Sequence, residues 1–570
     1  MSKPKKIINE PTDAVAEFVE GLLLQFPNKL KKVANHNVLL GASLESPVQL
    51  LSGGGSGHEP SHAGWIGNGM LGGAILGGMF ASPSVAAVLA AIRAAAPHPV
   101  LLVVKNYTGD RLNFGMACEK ANMEGLHCQM VVVADDCALE RSKGITGARG
   151  VAGTVLVHKV AGAAAAMGKT LGEVADLAKQ VCGRMGTLGI AIDAVTVPGA
   201  AQVNDRLDDK TIEIGLGIHG EAGMRQSPLL TANQMAKEML ETIRTYGRTV
   251  GDEIVPMFAK GDNLCVLVNN LGGTSNFEMS ILANATVKIL ESEYGCTVSR
   301  LLVGSFMTSF DMHGASVTVF NLTGADPLLV ECLDAPTDAP AWTAVDIVSG
   351  AERPSATEIP DQSGPEEASA ASSELPSLEE WTDAKEVLEK AAKALAEAEP
   401  LLTKYDTIVG DGDCGITMKR GAEKVLEGGV ATDHPVTLFA TLADAVSASM
   451  GGTSGVLLEL MFRKMSSTLA RQTSIGRAEL IAAFGAGVEA VSLYGGATVG
   501  ARTMLDALVP ASAQTTLPEA AKAARAGADS TATMKSASAG RSNYLSEETL
   551  DGTPDPGAVA VAIILEALAA

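Results

Sequence analysis

The stretch SGAERPSATEIPDQSGPEEASAASSELPS, residues 349–377, decides how the chain divides. It is rich in Ser, Pro, Ala and Glu and carries no apolar period. Such a composition cannot bury enough surface to offset the entropy of ordering, so it reads as a flexible acidic linker spanning residues 337–378. Upstream, short β-branched runs alternate with helical stretches. The runs are PVLLVV (99–104), CQMVVVA (128–134), GTVLVH (153–158), NLCVLVN (263–269) and ASVTVF (315–320), and the helical stretches include PSVAAVLAAIRAA (83–95) and QMAKEMLETIRTY (234–246). That alternation predicts an α/β module of two lobes over residues 1–336. Downstream, from residue 379 to 570, helical periodicity dominates and an all-α module is expected.

A chain of 570 residues is too long for one core. Its net charge of −22 argues against nucleic acid and against anionic membranes, both of which need basic faces. The eight cysteines stand singly, with no CxxC pair, as in a reduced cytoplasmic protein. MSKPKKIINEP has no apolar segment behind its lysines, and runs such as MLGGAILGGMF (70–80) are too short and glycine-rich to span a bilayer. A cytoplasmic location is therefore expected.

Two motifs are decoys. HEPSH (58–62) fits the HExxH zinc pattern, but Pro60 and the preceding GGGSG deny it the regular helix that pattern needs. GAAAAMGKT (162–170) has five residues between its glycines where a phosphate-binding loop requires four, and it sits in a helical alanine-rich stretch.

The aspartate cluster in KYDTIVGDGDCGITM (404–418) carries more chemistry. Asp406, Asp411 and Asp413 repel one another unless a hard divalent cation lies among them, and oxygen-only ligands favour magnesium shared with nucleotide phosphates. No Glu stands at the twelfth position from any of the three, so the EF-hand pattern fails. MGGTSG (450–455), YGGATVGARTMLD (494–506), SAGRSNYL (538–545) and DPGA (555–558) are glycine-containing helix junctions, and free helix N-termini attract phosphate. In the first module VVKNYTGDRLNFG (103–115) sets Lys105 and Asp110 past a buried strand, where ligands of α/β sheets bind. GLGIHGEAG (215–223) presents His219 on a turn open to close approach, and a neutral imidazole is a competent nucleophile.

Taken in order, GGGSGHEPSHAG, VKNYTGDRLNFG, GLGIHGEAG, VNNLGG, GDGDCG, MGGTSG, RTMLDAL and DPGA closely resemble the single-chain, ATP-dependent dihydroxyacetone (glycerone) kinases over nearly the whole chain. The resemblance implies a ketone-binding N-terminal module and a C-terminal barrel of helices holding ATP. His219 would hold the substrate carbonyl as a covalent hemiaminal, which excludes glycerol. Gly54, Gly55, Ser56 and Gly57 would line the pocket, His58 would bond a substrate hydroxyl, and Lys105 would place the substrate. His58 and Asp110 would relay the proton of the attacking hydroxyl. Asp406, Asp411 and Asp413 would carry two magnesium ions. Around the nucleotide the resemblance places Asp413, Cys414, Gly415, Ile416, Thr453, Ser454, Gly495, Thr503, Met504, Arg541, Asp555, Pro556 and Gly557. It also implies a homodimer through the ketone-binding module.

One departure stands out: GARTM has Ala501 where the family usually has an acid, which puts the order of that loop in question. Both modules are fused without a phosphocarrier domain, which favours ATP over phosphoenolpyruvate as donor. Alternatives are a kinase for another short ketose such as erythrulose, cleavage of FAD to cyclic FMN with manganese, a non-catalytic ketose sensor, and, outermost, a zinc peptidase.

Overall fold

The computed structural model describes residues 5–139, 147–199, 207–343, 375–379, 381–539 and 541–570. The chain forms two compact units, Met1–Ile359 and Pro360–Ala570.

The first unit holds two six-stranded sheets. Strands β1 (Leu30–Lys32), β2 (Val38–Gly41), β3 (Gln49–Ser56), β4 (Gly73–Met79), β5 (Val100–Lys105) and β6 (Cys128–Val133) form the first, in the order β1-β2-β4-β3-β5-β6. Its centre, β4-β3-β5-β6, is parallel. The all-apolar run of β5 is what a parallel strand covered on both faces requires. Val100, Leu102 and Val104 face helices Val85–Ala94 and Thr108–Met123, while Leu101 and Val103 join the core under helix Thr154–Ala166.

The second sheet contains β7 (Met185–Ala191), β8 (Thr211–Ile214), β9 (Arg225–Pro228), β12 (Asn263–Asn270), β13 (Thr297–Gly304) and β14 (Gly314–Asn321), ordered β13-β12-β14-β7-β8-β9. The hairpin β10 (Arg248–Val250) and β11 (Glu253–Val255) stands apart from it. This sheet is mostly antiparallel; β12 and β13 run parallel across the connecting helix Asn276–Ser292. One face packs on Met239, Leu240, Ile243 and Leu290, and the other contributes Cys265, Leu267 and Phe320 to the core that also holds Leu101 and Val155. The two lobes thus share one core.

Two expectations need correction. GTVLVH is not a strand: it opens the helix Thr154–Ala166, in which every residue through Ala165 is buried. A helix covered on all sides shows no amphipathic period, and a short apolar run cannot distinguish it from a strand. The alanine-rich decoy lies in the same helix, where a Cβ on Gly162 would lie 2.4 Å from the Met70 backbone. The linker is also narrower than 337–378. Asn68 N–H donates to Asp338 Oδ1 (2.6 Å), Ala339 is buried, and Trp342 packs on the rings of Trp65 and Phe306, so residues 337–342 belong to the first unit. At the other end Ser377–Leu378 pairs with Ser474–Ile475 in the second unit. Residues 344–374, the heart of the linker, lie outside the described residues.

The second unit is helical: Lys385–Glu397, Glu399–Val409, Cys414–Leu426, Pro435–Ser449, Gly452–Leu469, Arg477–Gly495, Leu505–Ser512, Leu517–Ser530, Glu547–Leu550 and Pro556–Ala569. The helices enclose an apolar cavity of about 520 Å³ lined by residues such as Leu388, Met418, Phe439, Met461 and Leu565. Its lining is unsuited to phosphates, so polar chemistry is confined to helix ends. Among the described residues, Arg477–Gly495 is long and apolar enough to cross a membrane, and here it buries Ala483, Gly487, Val488 and Val491 in the helical core.

Candidate active site

The first site forms where the carboxyl ends of β3 and β5 meet two loops of the second lobe. The run Gly53–Gly55 lets β3 end against other backbone: a Cβ on Gly53 would lie 2.3 Å from Ile75 O, and one on Gly55 2.6 Å from the Phe80 backbone. Gly54 instead leaves room beside functional groups, since its Cβ would sit 3.3 Å from Lys105 Nζ and 3.5 Å from Asp110 Oδ2. Gly57 takes φ +108°, a conformation that favours glycine, and turns the chain so that His58 points inward. Phe310 N–H then donates to Gly57 O (2.7 Å) and Thr308 N–H to His58 O (3.2 Å), tying the loop from the second lobe across this turn.

At the centre His58 Nε2 and His219 Nε2 are 3.0 Å apart. His58 Nδ1 faces the Thr308 carbonyl at 2.8 Å, and His219 Nδ1 faces Glu221 Oε1 at 2.7 Å. Glu221 also accepts the His219 backbone N–H (3.0 Å). A carbonyl and a carboxylate only accept, so both Nδ1 atoms are donors and the reactive edge of each ring is Nε2. Phe80 stacks on His58 with ring centres 5.0 Å apart, and Tyr107 meets His219 edge-on at 4.8 Å. Burial, then Lys105, then His219 push the His58 imidazole well below its ordinary range, which leaves it neutral. Burial alone would raise the Glu221 carboxyl, but the hydrogen bond and charge of His219 outweigh it and hold it at about 2.

Lys105 closes β5 and Asp110 lies in the first turn of helix Thr108–Met123. Both are buried, and among the described residues Lys105 Nζ, Asp110 Oδ1 and the Tyr107 hydroxyl have no hydrogen-bond partner. Burial lowers the Lys105 ammonium and Asp110 opposes it. Unpartnered buried polar groups are costly, and Lys105 and Asp110 both stand beside the Cβ position of Gly54, which makes this a candidate ligand site. Ser56 does not join them, because its Oγ donates to Gly77 O (2.8 Å). The two histidines of HEPSH part company: His62 Nδ1 lies 3.2 Å from Ser52 Oγ and 3.1 Å from His158 Nε2, in a separate buried cluster.

The second unit carries the aspartate site. One carboxylate oxygen from each of Asp406, Asp411 and Asp413 lies within 4.8 Å of the others, with Asp406 buried and the other two exposed. Asp406 Oδ2 accepts the Cys414 N–H (2.9 Å), fixing the loop to the helix Cys414–Leu426. Gly410 is required, since its Cβ would fall 2.1 Å from Asp406 Oδ1. Three hard oxygen donors at this spacing fit a magnesium ion. Asp555 caps helix Pro556–Ala569 through Ala558 N–H (2.7 Å), and burial pushes its carboxyl up to about 6, with Asp506 and Asp406 adding to the rise. A Cβ on Gly557 would lie 3.6 Å from Met504 Cβ, so Pro556 and Gly557 adjoin Thr503 and Met504. The Asp555 charge acts on the Cys414 thiol together with Asp406, Asp413 and Asp411, so this junction lies near the aspartate loop; Gly415 and Ile416 follow Cys414 in the same helix. Thr453 and Ser454 open Gly452–Leu469 and Gly495 closes the next helix, alongside Leu457. The Arg541 side chain lies outside the described residues.

Ala501 leaves its loop ordered by other means. Asp506 accepts N–H bonds from Gly500 (2.6 Å) and Thr503 (2.8 Å), so a carboxylate five residues on closes the turn. Sequence reasoning missed this role, and it missed Glu221, Tyr107, Phe80 and Thr308. Glu221 had a signal, an acid two residues after a solitary histidine. Phe80 and Thr308 arrive from distant loops and had none.

Paired imidazoles beside a buried lysine and aspartate in one unit, and a three-aspartate cluster fit for magnesium in the other, define a two-site protein whose class the comparisons give. Residues 20–341 match the Dak1 domain and residues 408–570 the DAK2 domain. The chain is 42% identical to a putative 3,4-dihydroxy-2-butanone kinase of Solanum lycopersicum (98% of this chain, 96% of that one) and 40% identical to the triokinase/FMN cyclase of Homo sapiens (99% and 98%). The crystal structure of the dihydroxyacetone kinase from C. freundii in complex with AMP-PNP and Mg2+ superposes with a TM-score of 0.65 at 31% identity, covering 99% of each chain. The chain belongs to the dihydroxyacetone kinase family, and it is a kinase.

Proposed function

We propose that the protein transfers the γ-phosphate of ATP to the primary hydroxyl of dihydroxyacetone, with glyceraldehyde and other short ketoses as further acceptors, and that it holds the ketone as a hemiaminal on His219. The observation that carries this reading is the nucleophile's setting. Glu221 fixes the tautomer that leaves Nε2 as the reactive atom, and that atom lies 3.0 Å from His58 Nε2, the other imidazole of the site. Gly54, Gly55 and Gly57 shape the site, Lys105 orients a substrate oxygen, and His58 with Asp110 takes the proton of the attacking hydroxyl. A polyol without a carbonyl forms no such bond, so glycerol is refused.

In the second unit Asp406, Asp411 and Asp413 would hold two magnesium ions, which supply charge neutralisation for the phosphates. Thr453, Ser454, Gly495, Thr503, Met504, Arg541 and Asp555–Gly557 would bind the rest of ATP. The eight free cysteines suit a cytoplasmic location, and a homodimer through the first unit completes the reading.

Dihydroxyacetone labelled with carbon-13 at C2, added without ATP, tests the covalent step. The expected result is a carbonyl resonance moved into the sp3 region by the wild type and left in place by His219→Ala; an unchanged resonance with the wild type contradicts it. A second reading, cleavage of FAD to cyclic FMN, is favoured by the human relative whose name includes FMN cyclase. Incubation with FAD and manganese checks it, and release of AMP with cyclic FMN supports it. Retention of all three aspartates argues against a sensor without catalysis.

A further inference from the structure

The histidine pair poses a proton-counting problem. Both Nδ1 atoms are spent as donors, one to a carbonyl and one to a carboxylate. If each ring were neutral, two bare Nε2 lone pairs would face each other at 3.0 Å, a repulsive arrangement in a buried site. A hydrogen bond at that distance needs one more proton. We propose that the resting pair holds a single extra proton between His58 Nε2 and His219 Nε2, which masks the nucleophile, and that this proton becomes the hydroxyl hydrogen of the substrate adduct. The inference rests on the ketose-trapping reading of the site.

The charges facing the pair fix where the proton rests. His58 meets Lys105 from the end of β5 and His62 from beyond Pro60, both of which oppose a charge on it, and it is wholly buried. His219 meets Glu221, which stays ionised, and the rings of Tyr107 and Phe80. The proton therefore sits on His219 Nε2 and donates to His58 Nε2.

Capture then balances internally. The proton crosses to His58, and the freed Nε2 lone pair of His219 forms the bond to the carbonyl carbon. The π pair of the C=O bond moves to oxygen, and that oxygen takes the proton from His58 Nε2. The carbonyl becomes a hydroxyl, the positive charge ends on the alkylated imidazolium of His219 against Glu221, and His58 is left neutral. Nothing is oxidised or reduced, and no proton enters or leaves. Covalent capture and unmasking of the His58 base become one event: His58 can accept the proton of the primary hydroxyl only after the ketone is bound. A substrate without a carbonyl leaves the base blocked.

Calorimetric titration of the full chain with dihydroxyacetone at pH 7, without ATP and in two buffers of different ionisation heat, counts protons. The wild type is expected to take up none. His58→Leu, which removes the acceptor that holds the extra proton on His219 Nε2, is expected to take up one. Uptake of one proton by the wild type overturns the proposal, and so does zero uptake by His58→Leu, which would show that the proton does not depend on the pair. A nitrogen-15 spectrum of the histidine-labelled, ligand-free wild type reads the resting state directly. A protonated His219 Nε2 supports the proposal and a bare one overturns it, whether or not the variant binds. No binding by the wild type at all, with a protonated Nε2 in the spectrum, would instead fail the ketose-trapping reading and take the proposal's second half with it.

Discussion

At the scale of single residues, His219 depends on the group behind it. Replacing Glu221 with Gln keeps the shape but lets the amide present either face to Nδ1, so the tautomer is no longer set. Steady-state kinetics should show kcat/KM for the ketose falling by about 10²-fold or more while the KM for MgATP holds. The same carboxyl has a folded-state pKa of about 2 against an ordinary 4.5. Its stabilisation is therefore present above pH 4.5 and lost as the pH falls toward 2. The side chain is 38% exposed, so the amplitude should stay below about 1 kcal/mol, read as the difference in acid unfolding between wild type and Glu221→Gln. Gly54→Ala presses on the flexible end of Lys105, so it should raise the ketose KM with little change in melting temperature. Gly57→Ala meets the Phe80 ring at 2.6 Å from a φ of +108° and should destabilise the fold by about 2 kcal/mol. The sequence made His58, His219, Lys105 and Asp110 visible, because each sits in a short glycine-containing motif. It hid Phe80, which follows β4 beside β3 in the first sheet, and Thr308, which reaches the site from the loop between β13 and β14 of the second sheet.

At the scale of elements, the ends of helices and strands do the positioning. Asp506 closes the turn between Gly500 and Thr503 with both carboxylate oxygens and is itself 1% exposed. Asp506→Asn turns one acceptor into a donor and should cost about 1–3 kcal/mol, with a raised KM for ATP, measured by thermal unfolding and nucleotide titration. From the sequence, Ala501 looked like a loss of order; the structure gives that order to a residue inside the next helix. The misread run GTVLVH teaches the complement. Period-2 and period-3.6 patterns arise from one dry face and one wet one, so a helix without a wet face, such as Thr154–Ala166, cannot be told from a strand over six residues.

At the scale of the whole molecule, the two units have separate cores. Among the described residues, three apolar clusters lie in the first and one in the second. A fragment ending at residue 343 should therefore fold and bind the ketose without ATP hydrolysis, checked by the carbon-13 shift of the labelled substrate. The change from alternating to helical patterning made this division legible, although residues 337–342 misled, because Thr337, Asp338 and Pro340 resemble linker while Trp342 packs into the first core. The central claim of the proposed function is that the first unit binds the ketone and the second binds the nucleotide. ADP release from MgATP is its most direct measurement, with dihydroxyacetone and glycerol offered in parallel to wild type and His219→Ala. The account predicts rapid release with the ketone, none above background with glycerol, and a severe loss of ketone-dependent release in the variant. Equal rates with glycerol, or an unimpaired His219→Ala, would contradict it.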